Sequence, residues 1–535
     1  MIDIKRKVPR FNIEFTIYSN SICGNGLNIS QKGMGFLTEK ELMPATDIPF
    51  KTQIKGFIFS NKLYTIEGVG NLLYSKKINE NNEFYYNGFE FTKFNKKSKT
   101  ELLDLLDDIR KFEKDPNTVT ETKSLADFVY YPSDDISDKA DIFYNIMTEN
   151  LTNKYEIFSY YLDSPSTSTS NFIQLKTENK KSMIMMGSNN YLGLTNHPDV
   201  IKAGCDALQK YGSGNGSGAM VGGTLSIHKR LEKELAEFVG KEEVIIFNSG
   251  YSANVGIISG LLRPQDVVIN DISNHASIFD GCILSGAKRL VFSHNDISNL
   301  KRVLKRAELK YNGRLIVING VFSSNGEIAP LKEISGLAKD YNCMLMVDEA
   351  HGLGILGEKG IGASEHCGVL NDVDIFMGTM SKSLAGVGGF AAARKEIIEY
   401  LRFYGRPYLF STNIPPSAAA SILKALQIIR DDKSIREQLW YNINFFKAGL
   451  KKLNFNIGNS ESAIIPIYIP DTNLLFRFSK KLFQKGLFHN IFIFPAVPMG
   501  GSLIRFGIMA THTEQELTRA LKIIEEASEE ENLLH

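Results

Sequence analysis

At 535 residues the chain is longer than one ordinary hydrophobic core serves, so two or more domains are expected, and a 43% hydrophobic share against 23% charged residues excludes a disordered chain. The 61 basic and 60 acidic residues, net +1, exclude a general binder of DNA or RNA. Five scattered cysteines (Cys23, Cys205, Cys282, Cys343, Cys367) without a C-x-x-C pair exclude a disulfide framework and a zinc site and suit a reducing cytoplasm.

The basic start, Met1 to Arg10, meets Glu14 before a signal-peptide core can form. No apolar run approaches the roughly 20 residues of a transmembrane segment, which leaves peripheral contact with a membrane open. Short strands separated by turn residues are predicted at 11–18, 33–38, 53–59, 63–74 and 84–91, an all-β unit, followed by a helix over 98–112 whose apolar face carries Leu102, Leu103, Leu105, Leu106 and Ile109. Residues 1–112 are therefore read as one domain and the polar, acidic 113–139 as a linker. Residues 140–187 read as an arm leading into the next domain, with Ser164-Pro-Ser-Thr-Ser-Thr-Ser as a loop within it.

From residue 188 apolar strands (244–248, 267–271, 289–293, 315–321, 344–348, 374–378) alternate with amphipathic helices. The helix bearing Ile227, Leu231, Leu235 and Phe238 shows the three-and-four spacing. This alternation predicts a largely parallel sheet covered by helices over 188–415. A smaller domain over 416–535 is helix-rich with strands at 463–469 and 503–508.

The chemistry centres on Asp348-Glu-Ala-His351 at a strand end, with Gly378-Thr-Met-Ser-Lys382 further on. Strand ends are where α/β sheets present ligands. An acid held there can pair with a pyridinium nitrogen, and a lysine from a neighbouring strand end can capture a cofactor aldehyde. Taken alone, Lys382 reads as a solvated surface lysine.

Over residues 140–530, however, the chain resembles the α-oxoamine synthase family, enzymes of the pyridoxal-phosphate fold type I class. Ser188-Asn-Asn190-Tyr191, Asn248-Ser249-Gly250-Tyr251-Ser-Ala-Asn254, His275-Ala-Ser277, Asp348-Glu-Ala-His351 and Thr379-Met-Ser-Lys382 carry the resemblance, with Phe410-Ser-Thr412, Pro495-Ala-Val-Pro498 and Arg505. It implies pyridoxal 5'-phosphate as cofactor, Lys382 as the lysine that holds it, Asp348 on the ring nitrogen and His275 stacked on the ring. His351 and Ser323 would stand near the phenolic oxygen, and Ser249, Gly250, Tyr251 and Thr379 at the phosphate. Thr412 would reach the phosphate of a second subunit, implying a homodimer, and Asn190 and Arg505 would contact the amino-acid substrate.

The reaction implied is condensation of a small amino acid with an acyl thioester of coenzyme A or of an acyl carrier protein, with loss of carbon dioxide, to an α-aminoketone. Transamination is the alternative reaction, and an effector with an inactive enzyme-like scaffold the alternative role. The glycine run 212–218 reads as a loop near the acyl channel. The chain departs from the family at Ala219, where arginine is common, and at Asn319 and Asn325, where acidic residues are usual.

Near the N-terminus, Arg6-Lys-Val-Pro-Arg10 and Asn28-Ile-Ser30-Gln-Lys-Gly33 resemble the two signature segments of the bacterial PilZ domain. That resemblance implies a β-barrel binding cyclic di-GMP, with Arg6 and Arg10 gripping guanine and phosphate. Asn28 and Ser30 would add polar contacts and Gly33 a tight backbone. The expected architecture is thus multidomain: a PilZ-like β-barrel, then a fold type I transferase with a large, mostly parallel-sheet domain and a small α+β C-terminal domain.

Overall fold

Six short strands with large aromatic residues can bury those rings only by curling round them, and the first part of the chain does so. The computed structural model describes residues 11–18, 23–30, 33–38, 45–55, 63–77, 85–114, 137, 138, 140, 141, 143, 144, 160–175, 177–494, 496–498 and 500–533. The chain divides into two compact units, Met1–Asn150 and Leu151–His535.

In the first unit β1 (Phe11–Tyr18), β2 (Cys23–Ser30), β3 (Gly33–Thr38), β4 (Ala45–Lys55), β5 (Leu63–Lys77) and β6 (Tyr85–Phe94) are antiparallel, in the order β1-β2-β3-β6-β5-β4. Pairing of β1 with β4 closes the barrel, so no strand edge is left open. Met34, Phe50, Ile66, Leu72 and Phe89 are buried, and the Phe50 ring stacks on Phe91 at 5.1 Å. The helix Lys96–Lys114 buries Leu102, Leu105 and Leu106 and is tied to β5 by the Ser98 hydroxyl, which accepts the Glu67 N–H at 3.0 Å. β2 and the first part of β4 were not expected. Gly24, Asn25 and Gly26 are weak strand formers, and barrel pairing supplies what local preference lacks. Residues 56–59 of the strand expected at 53–59 lie outside the described residues.

In the second unit β7 (Tyr160–Leu162), β8 (Thr169–Gln174) and β9 (Lys180–Met185) form an antiparallel meander, so the segment expected as an arm is itself a small sheet. The main strands are β10 (Glu243–Phe247), β11 (Val267–Asp271), β12 (Lys288–Phe292), β13 (Arg314–Asn319), β14 (Met344–Asp348), β15 (Ile375–Thr379) and β16 (Gly389–Ala393). They lie in the order β10-β16-β15-β14-β13-β11-β12, and β16 is the antiparallel member. β11 and β15 are buried at every residue, as strands covered by helices on both faces must be.

β17 (Ile464–Tyr468), β19 (Asn490–Phe492) and β20 (Leu503–Gly507) make a further three-stranded sheet, while β18 (Leu487–Phe488) joins β9 in parallel and binds the end of the chain to β7–β9. The expected strands appear as β10–β15, β17 and β20 with ends shifted by a residue or two. β16 was not expected, because Gly389-Phe-Ala-Ala-Ala393 has little strand preference. Its glycine has a steric reason: a β-carbon at Gly389 would lie 2.6 Å from the Ser249 carbonyl oxygen and 2.8 Å from the Gly250 nitrogen.

Asp271, Asn319, Asp348 and Thr379 close β11, β13, β14 and β15, and the β13–β14 register sets Asn319 beside Asp348. The carboxyl ends of four parallel strands therefore share one edge. No helix among the described residues is long and apolar enough to cross a membrane.

One buried ion pair fastens helices to this sheet. Arg402, in the helix Lys395–Tyr404, donates through both terminal nitrogens to Glu232 of the helix Ser226–Val239, each at 3.2 Å, and to the Val244 carbonyl at 3.1 Å. Removing Arg402 takes away the partner that holds both carboxylate oxygens of buried Glu232 and leaves it, among the described residues, only Lys229, at 2.5 Å from one of them. Arg402→Ala is expected to lower unfolding stability by about 3–5 kcal/mol in urea titration. A loss within about 0.5 kcal/mol, the scale of surface substitutions, would contradict it.

Candidate active site

The shared strand edge opens into a cavity of about 210 Å³. Ser249, Gly250, Tyr251, His275, Ser323, Asp348, His351, Thr379 and Lys382, expected from the sequence, all line it. Their positions follow from the strands: Asp348 ends β14, Lys382 lies just past the end of β15, and His275 caps the helix Ala276–Ser285 after β11. The helix Gly250–Leu261 starts at the cavity, with Ser249 as its cap accepting the Ser252 N–H at 3.0 Å. Glycine is needed at 250, because a β-carbon there would lie 2.9 Å from the Thr379 hydroxyl. A helix start with free N–H groups beside the hydroxyls of Ser249 and Thr379 suits a phosphate.

A hydrogen-bonded line that the sequence did not reveal runs under the cavity. Asn254 donates to Asp348 Oδ2 at 2.8 Å and to Ser277 Oγ at 2.9 Å, and the Ser277 hydroxyl lies 2.7 Å from His275 Nδ1. The second oxygen of Asp348 accepts the Ala350 N–H at 2.9 Å. Since Ser277 already accepts from Asn254, its own proton is free for Nδ1, which leaves the ring proton of His275 on Nε2. A signal existed: Asn254 is the one amide side chain in the helix Gly250–Leu261 and is fully buried there, and such groups are found bonded.

Electrostatics separate the bases. Loss of hydration pushes the Lys382 amine down to about 7, helped by Arg505 and opposed by Asp348, although the residue keeps some exposure toward the cavity. Desolvation likewise lowers His275, with Asp348 pulling the other way, and holds buried His351 well below the usual imidazole range.

A second group adjoins the cavity. The Tyr191 hydroxyl lies 2.8 Å from His351 Nδ1 and accepts from Arg505 at 3.1 Å, while Arg505 also donates to Asn189. Arg505 is buried, and its Nε has no partner among the described residues. Asn190 is not brought to the cavity. Its amide donates to the Ser166 carbonyl at 3.1 Å and the Thr195 hydroxyl at 2.6 Å, so the neighbours Asn189 and Tyr191, rather than Asn190, meet Arg505.

Thr412 is exposed and does not line this cavity, and it is paired in a β-bridge with Gly218. Asn28 and Ser30 stand in β2, with Gly33 paired to Ser30 at the start of β3. Arg6, Arg10 and Pro495 lie outside the described residues.

The donor set suits pyridoxal phosphate: an anion-receptive helix start, a buried carboxylate and an amine that loses its charge near neutrality. The family described as Aminotransferase class I and II matches residues 181–524. The chain is 45% identical to an 8-amino-7-oxononanoate synthase of Treponema denticola over 356 residues, 66% of this chain and 90% of that one. It is 44% identical to a serine palmitoyltransferase of Bacteroides ovatus over 352 residues, 66% of this chain and 89% of that one. The solved serine palmitoyltransferase of Sphingomonas wittichii matches with a TM-score of 0.71 and 34% identity over 75% of this chain and all of that one; a structure of the enzyme with PLP internal aldimine gives the same values.

In cofactor-free protein the reaction of Lys382 with an amine-selective reagent is expected to accelerate as pH rises through about 7, because the reactive form is the neutral amine. Arg505→Ala should move that midpoint upward, since Arg505 disfavours the ammonium. A midpoint in the usual lysine range near 10.4 would contradict the burial of this amine.

Proposed function

Because the chain belongs to the pyridoxal-phosphate-dependent α-oxoamine synthases, within the aminotransferase class I and II family, we propose that it condenses a small amino acid with an acyl thioester, with loss of carbon dioxide, to give an α-aminoketone. It is a pyridoxal-phosphate-dependent acyltransferase. The observation that carries the reading is the meeting, in one cavity, of a lysine amine neutral near pH 7 with a buried carboxylate fixed by Asn254.

Pyridoxal phosphate supplies an aldehyde that takes up amines and a ring that accepts electron density from the α-carbon of an attached amino acid. Asp348 holds a proton at the ring nitrogen, anchored there by Asn254 and the Ala350 N–H. Ser249, Thr379 and the first N–H groups of the helix Gly250–Leu261 bind the phosphate. His275 would hold the ring, and His351 and Ser323, which line the same cavity, would serve its phenolic oxygen. Lys382 would hold the cofactor through its aldehyde group and, as a neutral amine, would be the base for the proton on the substrate α-carbon.

Arg505, whose unpartnered Nε is free to donate, binds the substrate carboxylate, and Tyr191 and Asn189 orient it. Thr412, exposed on one copy, completes the phosphate site of another, which makes the working unit a homodimer. Glycine, alanine and serine fit as amino acids, and coenzyme A or an acyl carrier protein as acyl carrier.

The likeness of the segments carrying Arg6, Arg10, Asn28, Ser30 and Gly33 to the PilZ signature supports a cyclic di-GMP site that acts on the synthase as a regulator. Coupling requires the ligand to favour one state of the enzyme over another.

The test is to incubate purified protein with single amino acids and acyl thioesters. Carbon dioxide and free thiol should appear in equal amounts, and Lys382→Ala should release neither. Amino-group transfer without carbon dioxide would point to a transaminase instead. Cyclic di-GMP should alter turnover of the native protein and leave Arg6→Ala/Arg10→Ala unaffected; identical turnover with and without it would refute the regulatory reading.

A further inference from the structure

Outside the cavity, His294, Asp271 and Glu327 form a closed group of ionisable side chains. His294 follows β12, with Nδ1 3.1 Å from Asp271 Oδ1 and Nε2 3.1 Å from Glu327 Oε2. Both ring nitrogens face carboxylate oxygens, an arrangement that the imidazolium, a donor at both positions, satisfies in full. Burial opposes that charge, but the hydrogen bonds to Asp271 and Glu327 outweigh it and raise the pKa to about 9, while the bond from His294 lowers that of Glu327. Asp271 is fully buried and also accepts the N–H groups of Ser273 at 2.7 Å and Asn295 at 2.9 Å. The Phe322 ring meets the imidazole edge-on, with centroids 4.3 Å apart.

What these partners carry gives the group its meaning. Asp271 begins the short loop that delivers His275 to the cavity. Glu327 ends the turn that delivers Ser323, a turn closed by Phe322 N–H to Glu327 oxygen at 2.9 Å and Gly326 N–H to Phe322 oxygen at 2.9 Å. Nearer the sheet, Asn274 joins the same two regions, donating to the Val317 carbonyl at 2.8 Å and accepting the Asn319 N–H at 2.9 Å. His294 does not line the cavity, yet it spans the backs of two loops whose tips do.

We propose that His294 is a positioning residue, which bridges Asp271 and Glu327 to fix the loop of His275 against the turn of Ser323 and so sets how both side chains meet the bound cofactor. The inference rests on the role given to His275 in the proposed function. An apolar filler of the same volume would give stability without direction, whereas a cation between two carboxylates specifies a distance and an angle.

The experiment uses holoenzyme: native protein, His294→Gln, Glu327→Gln, His275→Ala and each of the first two combined with His275→Ala. Two quantities are read without thioester: the visible circular dichroism of the bound cofactor, and the rate at which glycine or alanine exchanges its α-hydrogen with deuterated water. His294→Gln is expected to weaken the dichroic band and slow exchange roughly tenfold to hundredfold, the cost of a small misplacement, with amino-acid affinity changed by about twofold or less. On the His275→Ala background the same change should slow exchange by less than about twofold, because the group it positions is already gone.

Glu327→Gln should follow the same pattern at smaller size and serves where His294→Gln does not fold. Exchange and dichroism at native values in both variants, or losses that multiply in full with His275→Ala, would overturn the proposal. Native exchange in His275→Ala alone would instead refute the role of His275, and remove the bridge's purpose with it.

Discussion

A carboxylate buried at the end of β14 is the constraint around which this enzyme is arranged. Burying Asp348 is costly unless its oxygens are bonded, and each has a donor: Asn254 on one, the Ala350 N–H on the other. The donors fix more than the charge. Through Asn254 and Ser277 the position of Asp348 is linked to His275 on a different strand's loop, so two cavity residues from separate strand ends are set by one bonded line. The same carboxylate partly offsets the loss of hydration that depresses Lys382, leaving the amine titrating near neutrality. A sheet whose parallel strands end at one edge makes this convergence possible, because residues distant in sequence arrive there with their backbone directions already aligned.

Two of the three positions expected to depart from the family pattern, Ala219 and Asn319, stand in different physical settings. Ala219 is buried in an apolar cluster with Phe247, Ala253 and Tyr408, and its N–H bonds to the Ser411 carbonyl at 3.3 Å. An arginine there would have to leave that cluster, so the change from arginine is an exchange of charge for core packing. Asn319 lies on the cavity wall beside Asp348, with its side-chain oxygen unpartnered among the described residues. A neutral amide at this point adds no charge to the cavity wall beside Asp348.

Legibility in the sequence followed local physics. β11, β13 and β14 are continuous apolar runs and could be placed within a residue or two, because strands covered on both faces admit little else. β16 and β2 could not: alanine and glycine in one, glycine and asparagine in the other, carry no strand signal, and pairing with neighbours decides them. At the site, nine residues expected from short motifs line the cavity, and Asn190 does not. The links between side chains were not legible, since Asn254 reaches Asp348 across 94 positions and His294 reaches Asp271 and Glu327 from different strand ends. Asn190 illustrates the remaining gap, because a one-residue step decides whether a side chain faces Arg505 or the Thr195 loop.

The central claim is that Lys382 is the residue that holds pyridoxal phosphate. Borohydride reduction of the holoenzyme followed by peptide mass mapping tests it most directly. A phosphopyridoxyl group is expected on the peptide containing Lys382, and an unlabelled protein when Lys382 alone is replaced by alanine. Label on a different lysine of the native enzyme would contradict it.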